Sequence, residues 1–237
     1  MKTLPELLRG NPYPGRGIAL GRTADGERFV AVYFIMGRSE NSRNRIFVET
    51  QDGIKTQAFD ESKMTDPSLI IYHPVRLVGK KLVVTNGDQT DTVAECLRAG
   101  HGFRHGLRQR TFEPDGPNWT PRISGLLHED GMVELSILKT DHGDDSCCCR
   151  HFFSYDNLRP GTGRFISTYE TDGTPLPSFQ GEPLEAAFGK ETARELADKV
   201  WAALDENNKV SLFVRTVDQK TGETDSVIIN RHGEEGK

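Results

Sequence analysis

Apolar residues come in short blocks separated by turn residues along most of this chain. The blocks 17–23 and 29–36 flank Asp25-Gly26, 46–50 and 54–59 flank Asp52-Gly53, and 123–128 and 132–138 flank Asp130-Gly131. An Asp-Gly pair between two such runs predicts a hairpin closed by a type I′ turn, because both central residues need positive φ. Gly79-Lys80 predicts a fourth hairpin, between 74–78 and 81–85. Further strands are expected at 147–154, 164–170, 209–216 and 226–230. The sheet structure should be largely antiparallel.

Helical periodicity is rarer. A helix is expected over 91–99, capped by Thr90 and stopped by Gly100, and a second piece over 103–110. The segment 184–204, entered through Pro183, carries Ala193, Leu196, Ala197, Val200 and Leu204 at helical spacing, with Gly189 as a break. The loops 113–121 and 171–183 are long and rich in Pro and Gly, which is where functional residues gather. Residues 231–237 read as a frayed polar tail. Strand runs with a few segregated helices predict one α+β domain over 1–237.

Composition narrows the function classes. Thirty basic and 35 acidic residues give a net charge of −5, which does not favour a nucleic-acid partner. No stretch approaches the roughly 20 apolar residues of a membrane span, and residues 1–9 do not read as a signal peptide, so a cytoplasmic protein is expected. Arginines outnumber lysines 19 to 11, which suits recognition of a phosphorylated small molecule. Cys147, Cys148 and Cys149 lack the ligand spacing of a zinc site and are expected to pack as small apolar strand residues. His101 and His105 sit four apart, yet Gly102 and Gly106 weaken that helix, and no metal is expected there.

Six short motifs carry a more specific signal. They are Tyr13-Pro14-Gly15-Arg16; Gly37-Arg38-Ser39 with Asn44-Arg45; Tyr72 followed by Val75-Arg76-Leu77-Val78; Asn86-Gly87-Asp88-Gln89-Thr90-Asp91; Glu113 with Asn118 and Thr120-Pro121-Arg122-Ile123; and Ser167-Thr168-Tyr169-Glu170. In this order they resemble the archaeal-type, stand-alone IMP cyclohydrolases. Each match alone is weak, and six in series across residues 13–170 are not. The chain departs from the compact archaeal pattern by an extension at 1–12 and by about thirty residues after the last helix.

The resemblance implies a four-layer α-β-β-α sandwich similar to the N-terminal-nucleophile hydrolases, without their exposed N-terminal nucleophile. It implies closure of the formamido-carboxamide nucleotide FAICAR to IMP with loss of water, no cofactor, and a symmetric homo-oligomer such as a tetramer. That reaction needs a base for a weakly acidic amide, a donor for the formyl oxygen and cations for the 5′-phosphate. Glu113 is the candidate base or orienting group. Tyr72 is the candidate donor, with Arg45 as a fixed charge beside it. Arg16, Arg38 and Arg122 are candidates for phosphate or ribose contacts. Asn86 and Asp91 are expected to anchor their turn or read ribose hydroxyls, and Asn118 to touch substrate; for Asp91 a helix-cap role is equally open. Arg76 is expected on the strand surface. An amide hydrolase on the same fold and a purine-nucleotide-binding regulator without turnover are the competing readings.

Overall fold

The computed structural model describes residues 1–64 and 67–233; the last four residues of the expected tail at 231–237 lie outside them. Its elements begin with α1 (Leu4–Leu8), the hairpin β1 (Arg16–Arg22) and β2 (Arg28–Met36), and a short helix α2 (Glu40–Arg43). The hairpins β3 (Arg45–Thr50) with β4 (Gly53–Ala58) and β5 (Val75–Val78) with β6 (Lys81–Thr85) follow. Helices α3 (Gln89–Arg98) and α4 (Phe103–Arg108) lead to β7 (Arg122–Leu127), β8 (Val133–Asp141), β9 (Asp144–Tyr155) and β10 (Thr162–Ser167). The chain continues through β11 (Leu184–Ala187), α5 (Ala193–Ala203), β12 (Lys209–Asp218) and β13 (Thr224–Asn230).

Two antiparallel sheets result. One has the order β11-β10-β1-β2-β12-β13, the other runs β3-β4-β5-β6-β7-β8-β9. Strand β2 shows how they stack, because successive side chains point to opposite faces. Phe29, Ala31, Tyr33 and Ile35 join Ile54, Val75, Val84, Ile123 and Ile137 of the other sheet in one core. Val30, Val32, Phe34 and Met36 pack with Leu4 and Leu8 of α1 and with Leu196 and Val200 of α5. On the far side, Val83 and Leu126 meet Val93, Phe103 and Leu107 of α3 and α4. The fold is thus mixed α/β and dominated by antiparallel sheet.

The four expected hairpins form, but the three Asp-Gly turns differ from the expected type. Trp119 and His142 are the non-glycine residues at positive φ among those described, so neither Asp25 nor Asp130 takes the left-handed region that a type I′ turn demands. Instead, Gly26 N–H donates to Thr23 O at 2.8 Å and Gly131 N–H to His128 O at 3.0 Å. Each glycine alone is left-handed, at φ 72° and 87°, closing a longer loop built on a type I turn.

Three element expectations need correction. Residues 184–187 are not the first half of a helix; they pair as an edge strand with β10, and α5 starts only at Ala193, where Thr192 and Glu195 form a capping box. Helix α3 starts at Gln89, not after a Thr90 cap, because the Thr90 hydroxyl is spent on Gly87 O and Thr85. Strand β10 ends at Ser167, and Tyr169 keeps only an isolated bridge to Ser178. The N-terminal helix α1, which the apolar pattern did not predict, is closed by its own Thr3–Glu6 capping box.

Candidate active site

Five of the residues singled out by sequence arrive from separate segments. Arg16 opens β1, Arg45 opens β3 and Arg122 opens β7. Tyr72 lies in the link before β5, held on both sides of its peptide by Thr56: Tyr72 N–H donates to Thr56 Oγ1 at 2.8 Å, and Thr56 N–H to Tyr72 O at 2.9 Å. Glu113 sits in the loop after α4, its N–H bonded to Thr120 O at 2.9 Å. The approach of Arg16 depends on Gly15, at φ 75°. A Cβ there would lie 2.2 Å from Thr168 Oγ1 and 2.6 Å from the Tyr169 ring, so only glycine lets the turn pack so closely.

All of these side chains are out of water. Arg45 is 0% exposed, Glu113 2%, Tyr72 6% and Arg16 8%. Arg45 Nε donates to Ser42 O at 2.8 Å, but both Arg45 Nη atoms, Arg16 Nε and Glu113 Oε1 have no hydrogen-bond partner in the chain. Buried charged groups are normally paired, since leaving one bare costs several kcal/mol. Four bare polar atoms on three neighbouring residues therefore mark a place built for a polar ligand.

The electrostatics are mixed in sign. Burial pushes the Glu113 carboxyl up to about 7, although the Arg16 and Arg122 charges pull against it. Burial opposes the Arg16 charge, yet Glu113 and the surrounding phenols outweigh it and raise its pKa. Arg45 is lowered, first by burial, with Arg16's like charge adding to it and Tyr72 opposing. The cluster thus holds a carboxyl that exchanges its proton near neutrality between guanidiniums that keep theirs.

Arg122 lies close enough to act on Glu113 and, like the other expected residues, has partners within the chain. Arg38 is half exposed, pairs with Asp172 at 2.7 Å and covers the Tyr13 ring at 5.2 Å. Tyr13 in turn stacks on Tyr169 at 5.9 Å, whose hydroxyl meets Thr120 Oγ1 at 2.7 Å. Arg122 donates to Gln89 Oε1 at 2.6 Å and pairs with Asp88 at 2.8 Å; Asp88 also holds Arg110 at 2.5 Å. Asn86 is fully used by the fold: its Nδ2 donates to Pro121 O at 2.9 Å, and its Oδ1 accepts from Ile123 N–H and Gln89 Nε2. Asp91 is engaged by Arg76 at 2.5 Å in a separate cluster with Asp52, which pairs with the same arginine at 2.7 Å. Asn118 is half-buried within its loop, its N–H donating to Asp115 O at 3.2 Å.

Sequence reasoning missed Tyr33, Gln89, Asp88 and Arg110. Tyr33, 0% exposed, shares a hydroxyl–hydroxyl hydrogen bond of 2.9 Å with Tyr72. Gln89 and Asp88 lay inside a quoted motif, so that signal was present. The three adjacent cysteines are not buried as expected: Cys147 is exposed, and Cys148 and Cys149 are half-buried. They sit on β9, the edge strand of its sheet, where one side of the ladder has no neighbour to cover them. The described residues hold no group of three or more His, Cys, Asp or Glu placed to bind a metal ion.

The profile of the family described as IMP cyclohydrolase-like protein matches residues 13–222. The chain belongs to this family. Among the related IMP cyclohydrolases, that of Methanococcus aeolicus is 30% identical over 162 residues, covering 67% of this chain and 74% of its own. That of Methanocaldococcus jannaschii is 24% identical over 219 residues, covering 87% of this chain and 95% of its own. The IMP cyclohydrolase-like match runs through Arg16, Arg45, Tyr72, Glu113 and Arg122 alike. No helix among the described residues is long and apolar enough to cross a membrane.

Proposed function

We propose that this chain is an IMP cyclohydrolase that closes FAICAR to IMP. The observation that carries the reading is the buried constellation of Glu113, titrating at about 7, with Arg16, whose Nε has no protein partner, and Arg45, whose two Nη atoms have none. In the reaction the carboxamide nitrogen bonds to the formyl carbon, whose C=O becomes C–OH. That C–O bond then breaks, a ring N–H proton leaves, and water departs. Because both reacting groups belong to one molecule, the enzyme's first task is to hold a near-attack rotamer.

Glu113 is assigned the proton transfer from the carboxamide, a role that suits a carboxyl near neutrality. Tyr72 is assigned the hydrogen bond to the formyl oxygen, where negative charge grows, and Arg45 the fixed positive charge behind it. Arg16, Arg122 and Arg38 are assigned the phosphate and ribose, for which planar guanidinium forks are suited. Asn86 is read as an anchor of its turn, and Asp91, in the first turn of α3, as a partner of Arg76, since their polar atoms are engaged by the fold; Asn118 is assigned a substrate contact.

The packing of α1 and α5, then the two sheets, then α3 and α4 supports a four-layer α-β-β-α sandwich similar to the N-terminal-nucleophile hydrolases. The reading extends to one functional unit over 1–237, a cytoplasmic setting and a symmetric homo-oligomer. The test is direct. Purified protein is mixed with FAICAR, with no metal, folate or nucleotide added, and IMP is followed by its ultraviolet spectrum. Stoichiometric IMP is expected. Hydrolysis of the formamide or carboxamide instead would make the chain an amide hydrolase, and tight binding without turnover would make it a regulator.

A further inference from the structure

We propose that Tyr33 is a positioning residue for ring closure, its hydroxyl fixing the direction in which the Tyr72 hydroxyl gives its proton. The inference rests on the role assigned above to Tyr72. Tyr33 is in the middle of β2, paired on one side with Ile18 of β1 and on the other with Phe213 of β12. Its ring stacks on Phe47 at 5.6 Å and 23°. Tyr72, by contrast, is carried by a link with no regular structure, fixed by its backbone to Thr56. Its backbone is tied there, and its hydroxyl is met by Tyr33 at 2.9 Å.

The residue type is informative. Ala31 and Ile35, which share a face of β2 with Tyr33, are apolar, and its ring packs in the apolar core between the sheets, while the Arg16 and Arg45 charges reach its hydroxyl. Phenylalanine would fill that space as well. A buried hydroxyl is costly unless it has a hydrogen-bond partner, and here the partner is the proposed proton donor. Packing accounts for the ring, and the hydroxyl is accounted for by Tyr72.

Each hydroxyl has one proton, so within the pair one donates and the other accepts. If Tyr72 donated to Tyr33, its proton would be spent inside the core. When Tyr33 donates, it occupies a lone pair of Tyr72 and leaves the Tyr72 proton free for the formyl oxygen. Burial, and Tyr72 next to it, push the Tyr33 pKa well above the usual phenol value, with Arg16 and Arg45 only partly opposing. Tyr33 therefore keeps its proton through neutral pH and remains a donor. It exchanges no proton with substrate.

A double-substitution cycle tests this. Tyr33→Phe, Tyr72→Phe and the pair are compared for kcat and KM on FAICAR, with thermal unfolding as the check of fold. Tyr33→Phe is expected to lower kcat about tenfold with KM within twofold, and to cost nothing further once Tyr72 is already phenylalanine. An equal loss in both backgrounds, or a parental kcat in Tyr33→Phe, overturns the inference while the proposed function stands. A parent chain that does not convert FAICAR overturns both.

Discussion

A carboxyl that titrates near neutrality is present in both forms at working pH, and Glu113, raised to about 7 by burial, is such a group. If its ionised form takes the carboxamide proton, kcat/KM should rise with pH through about 7 and level off above it. A profile flat from pH 5.5 to 8.5 would remove Glu113 as the base. Glu113→Gln and Tyr72→Phe should each lower kcat by roughly 10²-fold at nearly unchanged KM. Arg122→Ala should act mainly on KM, since a phosphate contact binds substrate and transition state alike, and should also move the Glu113 midpoint upward, because the Arg122 charge pulls that carboxyl down; a kcat loss at unchanged KM would move it to the reacting centre. Arg16, Arg45, Tyr72 and Glu113 were legible in the sequence because each stands in a recognisable motif. Tyr33 was not, because in the unbroken apolar run of β2 a tyrosine that packs and one that also serves a site look the same. Asn86 and Asp91 were legible as polar turn residues, but residue type does not say whether a side chain faces a ligand or its own backbone.

At the scale of elements, alternation and turn residues located the hairpins, since a two-residue period together with a glycine needs no long-range information. The stretch 184–187 shows where that reading stops. Leu-Glu-Ala-Ala is a good helix-forming sequence, yet the free edge of β10 recruits it as a strand, and tertiary pairing overrides propensity. The same holds for α4: Gly102 and Gly106 weaken it locally, while Phe103 and Leu107 bury against Val83 and Leu126 and hold it. Edge position also decides how the cysteines behave. Cys147 is exposed there, and Cys148 and Cys149 are half-buried, Cys148 meeting the Phe112 backbone and not a side chain of the carboxyl–guanidinium cluster, so Cys147→Ala, Cys148→Ala and Cys149→Ala should each leave FAICAR turnover within a few-fold of the parent. Loss of turnover in a folded variant would bring a thiol into the mechanism.

Across the whole molecule, Glu113 makes stability depend on pH in an unusual direction. Its folded pKa of about 7 lies above the 4.5 of an exposed glutamate, so between those values the unfolded chain has already lost a proton that the folded chain keeps. Stability should therefore fall as pH rises from about 4.5 to 7 and change no further above, by roughly 3 kcal/mol in all. Asp52 and Asp88, lowered by their arginines against burial, act the opposite way at more acid pH. Comparing urea midpoints of the parent and Glu113→Gln from pH 4.5 to 8 isolates the glutamate; parallel curves would show that it titrates normally. The order of the six-stranded sheet has a consequence of another kind. Its centre is the hairpin β1–β2, and the strands that flank it, β10 and β12, come from residues 162–167 and 209–218. On a ribosome the hairpin is made early and then waits, with both long edges open, until most of the chain has been synthesised. An open edge is a template for any other strand, so nascent chains crowded on one message, or denatured protein returned to buffer at high concentration, have each other's hairpins as the nearest available partners.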